Sequence, residues 1–442
     1  MKTINHRFSL TRRNWIDYLV ITILLFMSGN PAFMGEVRME VYTIITSCLF
    51  LIMLIVRRNF LPTSRLVIVL LICCSILVIQ CITFDYWPFH TMIGFLLRLF
   101  IGYAAVRLVK EFPRKYVNVM FYTCLISLFF HSFAILQVTT GIDLITYFAP
   151  LDKITNPKQG FHIFVHNFMY YARVPEHFEY TRYAYLLPFR NSSHFWEPGV
   201  FAAYLLLAIV FLGLTRDKFD KRRYRNIVIV LVITLLTTMS TTGYVLLPLC
   251  LLFHLREIRL TARHVPKILG LALLLALFCT AAYHLDFVGE KIRGYFDKIV
   301  YREPGWELTR IGGIIFDLEY IERRPFFGWG PNHTTRYMLH GGESVGGMGN
   351  GLSDFTAKFG LLGLITVLTS IWIGVYKLEK RNLTKATLFI FFIIMVLNGE
   401  LLLDFSTYLE LMFLGSKFEN SHTKEVHGDT LIRLGYETDY DW

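Results

Sequence analysis

Charge is scarce in this chain: 17% of its 442 residues are Asp, Glu, Lys or Arg, whereas 54% are hydrophobic, and aromatics alone make up 16%. So little charge cannot coat a globule of this size, and one core cannot hide so much apolar surface, which excludes an ordinary water-soluble domain. The chain belongs in a bilayer, and its mean hydropathy of +0.47 agrees. A small-x-small cleavage site is missing after the first apolar run, Trp15 to Gly29, although Lys2, Arg7, Arg12 and Arg13 precede it. That run is therefore expected to remain as the first membrane helix. Cysteine is absent from the outer connections: Cys48, Cys73, Cys74, Cys81, Cys124, Cys250 and Cys279 all sit inside apolar runs. There they act as small hydrophobes, and neither a disulfide framework nor a metal motif can be drawn from them. No internal repeat or low-complexity tract is visible.

What the chain does have is a succession of apolar runs. Measured against about 30 Å of hydrocarbon, they predict spans near 15–30, 41–56, 66–84, 92–107, 117–137, 198–214, 227–240, 243–255, 268–284, 354–376, 386–399 and 403–416, or about 12 crossings. The expected fold is an all-α polytopic integral membrane protein: one transmembrane domain over 1–416 and a polar cytoplasmic tail over 417–442. A net charge of +11 would suggest nucleic acid for a soluble protein. Here the placement of the cations matters more than their sum. They collect at the N-terminus, at Arg57–Arg58–Arg65, Arg107–Lys110–Arg114–Lys115, Arg216–Arg225, Arg256–Lys267 and Lys377–Lys385, in every second connection. Because Lys and Arg mark the cytoplasmic side, both termini are expected there and no nucleic-acid partner is implied. Two connections, about 139–195 and 285–352, far exceed the length of a turn and face outward on this topology. Long loops on one face usually carry function.

Between Leu231 and Leu252 lies "LVITLLTTMSTTGYVLLPLCLL", whose centre is polar at Thr237, Thr238, Ser240, Thr241 and Thr242. Polar backbone at membrane depth needs protein or water around it, so a tight helical hairpin is expected. One long helix is the alternative, and it would invert the sidedness of everything after it.

"LPFRNSSHFWEPG" gathers Arg190, His194 and Glu197 within about two helical turns at the outer boundary. Pro198 and Gly199 suit a helix start, which puts Glu197 at or near the N-cap. Two readings stand for this carboxylate. It caps the helix, or it belongs to a site shielded by Phe195 and Trp196 with Arg190 as counter-charge. In the second long loop, residues 311–321 read as an amphipathic helix lying on the membrane, with Ile314, Ile315, Leu318 and Ile321 on one face and Arg310 at its start. The glycines of "PFFGWGPN" and "GGESVGGMGNG" permit close backbone approach to a ligand, and equally suit any flexible loop.

The order of Arg310, a helix, "PFFGWGPN" and "GNGLSDFTAKFGLLGLI", together with "FWEPGVFAAYL" and the "STTG" hairpin, resembles the bacterial O-antigen polymerase (Wzy-type) family, which shares a fold with the O-antigen ligases. Arg310 matches that family's loop arginine. Pro325, Gly328 and Gly330 match its turn, Asn350 its asparagine, and Gly360 and Gly363 its span signature. Gly349 stands where the superfamily usually has histidine, which departs from the ligase branch. The resemblance implies transfer of a growing glycan from an undecaprenyl diphosphate carrier to the terminal sugar of a carrier-linked repeat unit, on the outer face of a bacterial plasma membrane. Lipid-linked oligosaccharide and membrane lipids are the implied partners, and a chain-length regulator is left open.

Such a reaction needs a base for the acceptor hydroxyl and neutralisation of a diphosphate leaving group. Glu197 is the first choice for the base, and Asp354 is its rival unless it merely favours a helix N-terminus. Guanidinium groups suit the diphosphate, so Arg310 and Arg190, then Arg336 and Arg324, are candidate contacts; solvated charge is the plain alternative for each. Arg98, in mid-span "GFLLRLF", requires a partner or a polar cavity. His194, His333 and His340 would serve as proton relays, Trp196, Trp306 and Trp329 as sugar platforms or belt residues, and Asn350 as a substrate contact. No cofactor and no metal are expected, since the outer loops contain no Asp-x-Asp cage. Two rival functions remain: a glycan ligase of the same superfamily, and a polysaccharide transporter or flippase. The latter should show paired broken helices in two halves, which the sequence lacks.

Overall fold

In this computed structural model the described residues are 12–140 apart from 31, 32, 34, 35, 58 and 60, then 190–255, 310–341 and 350–416, with isolated positions 270 and 300. The expected span 268–284, most of both long loops, the 342–349 glycine stretch, Trp306 and the tail lie outside them. All regular structure among the described residues is helical. The helices are α1 (Arg12–Met27), α2 (Glu36–Val56), α3 (Ser64–Phe84), α4 (Phe89–Leu108), α5 (Phe112–Thr140), α6 (Pro198–Leu214), α7 (Lys221–Thr237), α8 (Thr241–Leu252), α9 (Arg310–Arg323), α10 (His333–Arg336), α11 (Gly351–Leu378), α12 (Leu383–Leu397) and α13 (Ser406–Leu409). Five of them, α2 to α5 and α11, contain runs long and apolar enough to cross a membrane.

Helix α6, "PGVFAAYLLLAIVFLGL", has no polar side, and a helix that is apolar all round needs a partner all round. It finds them in α5, α7 and α8 and is buried from Pro198 to Gly213 apart from Gly199. Its remaining flank is covered by the segment expected as the last span, 403–416. That segment crosses the bundle as three short turns, Leu402–Asp404, α13 and Glu410–Phe413, and not as one helix. Thr407 N–H donates to Ser28 Oγ (3.2 Å) at the end of α1, and Tyr408 Oη to the Ala203 carbonyl of α6 (3.1 Å). At the other end Arg65 donates to the Leu414 carbonyl (2.8 Å). A Cβ on Gly102 of α4 would stand 2.8 Å from Glu410 N, so α4 touches this backbone only because it has glycine there. Broken backbone is tolerated at such depth because residues 405–416 are enclosed by protein.

The hairpin expectation holds. Helix α7 stops at Thr237, Met239 turns with φ +48, and Ser240 Oγ caps α8 by accepting from Gly243 N (3.3 Å). The cationic connections among the described residues also gather at one end of the bundle. There Asp17 of α1 accepts from Arg57 (2.8 Å) and Lys115 (2.5 Å), and Arg223 donates to Asn118 (3.1 Å). The opposite end is tied by uncharged bonds: Trp196 N to Gly29 O (3.0 Å), Asn191 N to Thr237 O (3.0 Å) and Ser127 Oγ to Asn191 Oδ1 (2.7 Å). Helix α9 sits at this second end, with Phe316, Asp317 and Tyr320 inward and Ile311, Ile315 and Leu318 exposed. The exposed apolar face thus includes two of the four residues expected on it, Ile315 and Leu318.

Candidate functional site

Three long helices begin close together at the end away from the basic face. Glu197 stands at the N-cap of α6 with φ −151 and ψ 157, yet its side chain makes no capping hydrogen bond. Pro198 opens the helix without needing a cap for its own nitrogen. The carboxylate is therefore placed like a cap without acting as one. Beside it lies Glu400, in the turn after α12: a Cβ on Gly199 would collide with Glu400 Oε1 and stand 3.7 Å from Glu197 Oε1. Gly351, opening α11, likewise leaves room for the Glu400 carbonyl. Arg310, the first residue of α9, approaches Glu400 at 3.6 Å and donates to Thr242 Oγ1 of α8 at 2.5 Å. Its side chain is 40% exposed against 11% for Glu400, so the guanidinium keeps an open side. Two carboxylates and one guanidinium thus meet where α6, α8 and α11 direct their positive dipole ends.

Next to this group is a buried ionic chain. Arg336, 1% exposed, reaches Asp317 Oδ1 and, at 3.3 Å, Asp354 Oδ1, while Ser353 Oγ donates to Asp317 Oδ2 at 2.6 Å. Lys358 bridges Asp354 (2.6 Å) and Asp404 (2.9 Å), and Arg98 lies in the field of Asp404. Three anions and three cations alternate, which is how so many charges stay in a low-dielectric interior. Burial pushes the Asp317 carboxyl up to about 6, Arg336 opposing and Asp354 adding to the rise. For Arg336 burial works downward, but Asp354 and Asp317 outweigh it and its pKa rises.

On these facts four of the expected site residues are engaged with the protein itself. Asp354, 2% exposed and held by Arg336 and Lys358, is engaged as an ion-pair partner and is not a free base. Arg336 faces two carboxylates and the rings of Tyr320 and Tyr337 at 4.8 and 5.2 Å, and it is 1% exposed. His194 is buried between Phe26 (4.5 Å) and Phe195 (4.2 Å), and burial pushes it down to about 3, so it stays neutral and is no proton relay. Asn350 is 1% exposed; its Oδ1 caps α11 at Leu352 and Ser353 N while its amide donates to Asn398, so it shapes the backbone at the start of α11. The other candidates are placed as follows. Arg324 lies over Phe84 (4.3 Å) and Trp329 (4.9 Å), and Arg190 Nε donates to the Thr238 carbonyl (3.1 Å), bracing the hairpin. Trp196 leans on Phe405 at 5.1 Å. Arg98 has the counter-charge its depth demanded.

The glycines of "PFFGWG" have a different use from the one expected. Trp329 N and Gly330 N donate to the carbonyls of Ala357 and Lys358 (2.9 Å each), and Leu361 N to Pro325 O (2.7 Å). This turn is zipped onto α11 where Gly360, at φ +69, breaks the helix, and a Cβ there would strike the Phe326 carbonyl. Gly328 and Gly360 let backbone lie against backbone here. Glu400, Asp317, Lys358 and Asp404 were absent from the sequence reading, and Thr242 entered it only as a polar residue of the hairpin. Glu400 carried a signal: an acid in "NGE", between two apolar runs at the side poor in Lys and Arg.

No protein-family model matches the chain, and no curated protein matches it either.

Proposed function

We propose that the protein is a membrane glycosyltransferase that polymerises lipid-linked oligosaccharide repeat units, moving a glycan from a polyprenyl diphosphate donor to a sugar hydroxyl of an acceptor, outside a bacterial plasma membrane. The observation that carries this reading is the meeting of Glu197, Glu400 and Arg310 at three helix N-termini, on the face opposite the cationic one. Glu197, free of capping duty and half-buried, takes the acceptor hydroxyl proton. The new bond forms between that oxygen and the anomeric carbon as the bond to the diphosphate oxygen breaks. The lipid keeps the diphosphate, whose charge is met by the open side of Arg310 and by the helix dipoles. Glu400 positions Arg310. The exposed apolar face of α9 suits the polyprenyl chain or the lipid around it.

The test is the surface glycan of cells expressing Glu197→Gln at the normal protein level. Single-repeat product in place of long chains is expected. Long chains of normal length in that variant remove Glu197 from the chemistry, and unattached long polymer in a strain lacking the protein would point to the ligase reaction instead.

A further inference from the structure

A cavity lies at the opposite end from Glu197. It encloses about 580 Å³ between the α4–α5, α6–α7 and α11–α12 connections, the end of α8 and Leu414–Gly415. Its floor is apolar, with Val109, Leu214 and Leu414. Its rim bears six cations, Lys110, Arg114, Arg216, Lys218, Lys380 and Lys385, against the carboxylates of Glu111, Asp217 and Glu379. The pairing is incomplete. Glu111 accepts from both Arg114 (3.0 Å) and Lys218 (2.7 Å), and Glu379 from Lys385 (2.6 Å). Arg216 donates to the His254 carbonyl (2.9 Å) beneath the ring of Tyr224. Lys110 and Lys380, both exposed, have no ion pair among the described residues. The cations dominate the field here, since they pull the Glu111 carboxyl below its usual value in spite of its burial.

The backbone adds an independent sign. Glu111, Lys380 and Arg381 adopt φ of +56, +51 and +67 where helices α4 and α11 have ended. Glycine ordinarily fills such positions, because a Cβ there crowds the neighbouring backbone. The chain instead presents a carboxylate that organises two cations, and an unpaired lysine, at the lip of a cavity.

We infer that this basic-end cavity is a second binding site, specific for a phosphate-bearing anion, with Lys110 and Lys380 as its open contacts. The phosphate belongs either to a lipid headgroup whose tail follows the apolar floor or to a soluble diphosphate. The inference is independent of the glycan reaction.

The test uses the purified full-length chain in neutral detergent, with binding read from the shift of its thermal unfolding midpoint. Inorganic pyrophosphate and phosphatidylglycerol are the probes, with phosphatidylcholine as the uncharged reference. One of the two anions is expected to bind saturably, phosphatidylglycerol indicating a headgroup site and pyrophosphate a soluble ligand. Lys110→Ala/Lys380→Ala should weaken that binding about tenfold or more. Arg222→Ala/Arg225→Ala removes the same charge from the same end but outside the cavity, and should change it by less than about twofold. Failure of both anions to bind, or equal weakening by the two double variants, would overturn the inference.

Discussion

Replacing Arg336 by Met keeps the length of the side chain and removes its charge. In the native protein Arg336 is 1% exposed, and the Asp317 and Asp354 side chains it separates are 0% and 3% exposed, so solvent screens none of these contacts. Without the guanidinium two carboxylates face each other, and only Lys358, on the Asp354 side, remains beside them. Breaking a buried pair from one side costs about 3–5 kcal/mol, and that is the expected loss near neutral pH. Acid should return part of it. Burial already holds the Asp317 carboxyl up at about 6; losing Arg336, the stronger of the two groups that oppose this rise, moves it higher, with only the Ser353 hydrogen bond left to hold it down. A carboxyl whose folded pKa lies above its unfolded value contributes stability that is full below the unfolded value and lost as pH rises through the folded one. The wild type should therefore lose stability between about pH 4 and about pH 6 through Asp317, and Arg336→Met should carry this loss to higher pH. Adding Asp317→Asn to Arg336→Met should restore most of the stability near neutrality. Equilibrium unfolding in detergent at several pH values provides the readout. A single-variant cost below about 1 kcal/mol, or one unchanged between acid and neutral pH, would refute the reasoning.

Gly360→Ala should destabilise by about 2–3 kcal/mol, since it demands a left-handed alanine and drives its methyl into Phe326; faster proteolysis within 325–330 would accompany the loss. Arg310→Lys should lose most polymerising activity although charge is kept, because a lysine cannot hold Glu400, Thr242 and a phosphate at once; wild-type turnover would reduce Arg310 to a generic charge. Glu400→Gln, acting through Arg310, should lower turnover by about 10- to 100-fold, less than removal of the base. His194→Phe should leave the shape of the pH–rate profile unaltered, as a ring held neutral with a pKa of about 3 contributes no ionisation near neutrality.

Much of the helical frame was legible in the apolar runs, because a span must satisfy its own backbone and exclude charge over a fixed length. Helices α1 to α8, α11 and α12 fall where those runs predicted. The broken nature of 402–413 was not legible: an apolar run reads the same whether lipid or protein surrounds it, and the glycines that let helices approach it, Gly102 of α4 and Gly374 of α11, look like any glycine in a span. Glu197 and Arg310 stood out because Pro198–Gly199 and the start of an amphipathic helix marked their positions. Glu400 did not, since its partner is far away in sequence. Asp317 and Asp404 escaped for the same reason, as charges become interpretable only when their counter-charges are known, whereas Lys358 stands one turn from its partner Asp354 and was passed over. The glycine turn misled because glycine needed for backbone contact and glycine needed for a ligand look alike in a sequence.

The most direct measurement is elongation by the purified protein in proteoliposomes, supplied with polyprenyl-diphosphate oligosaccharide on the face bearing Glu197. Wild type should extend the glycan, and Glu197→Gln should lower kcat by about 10²- to 10⁴-fold with KM little changed. Elongation by Glu197→Gln at the wild-type rate, or none by the wild type, would contradict the account.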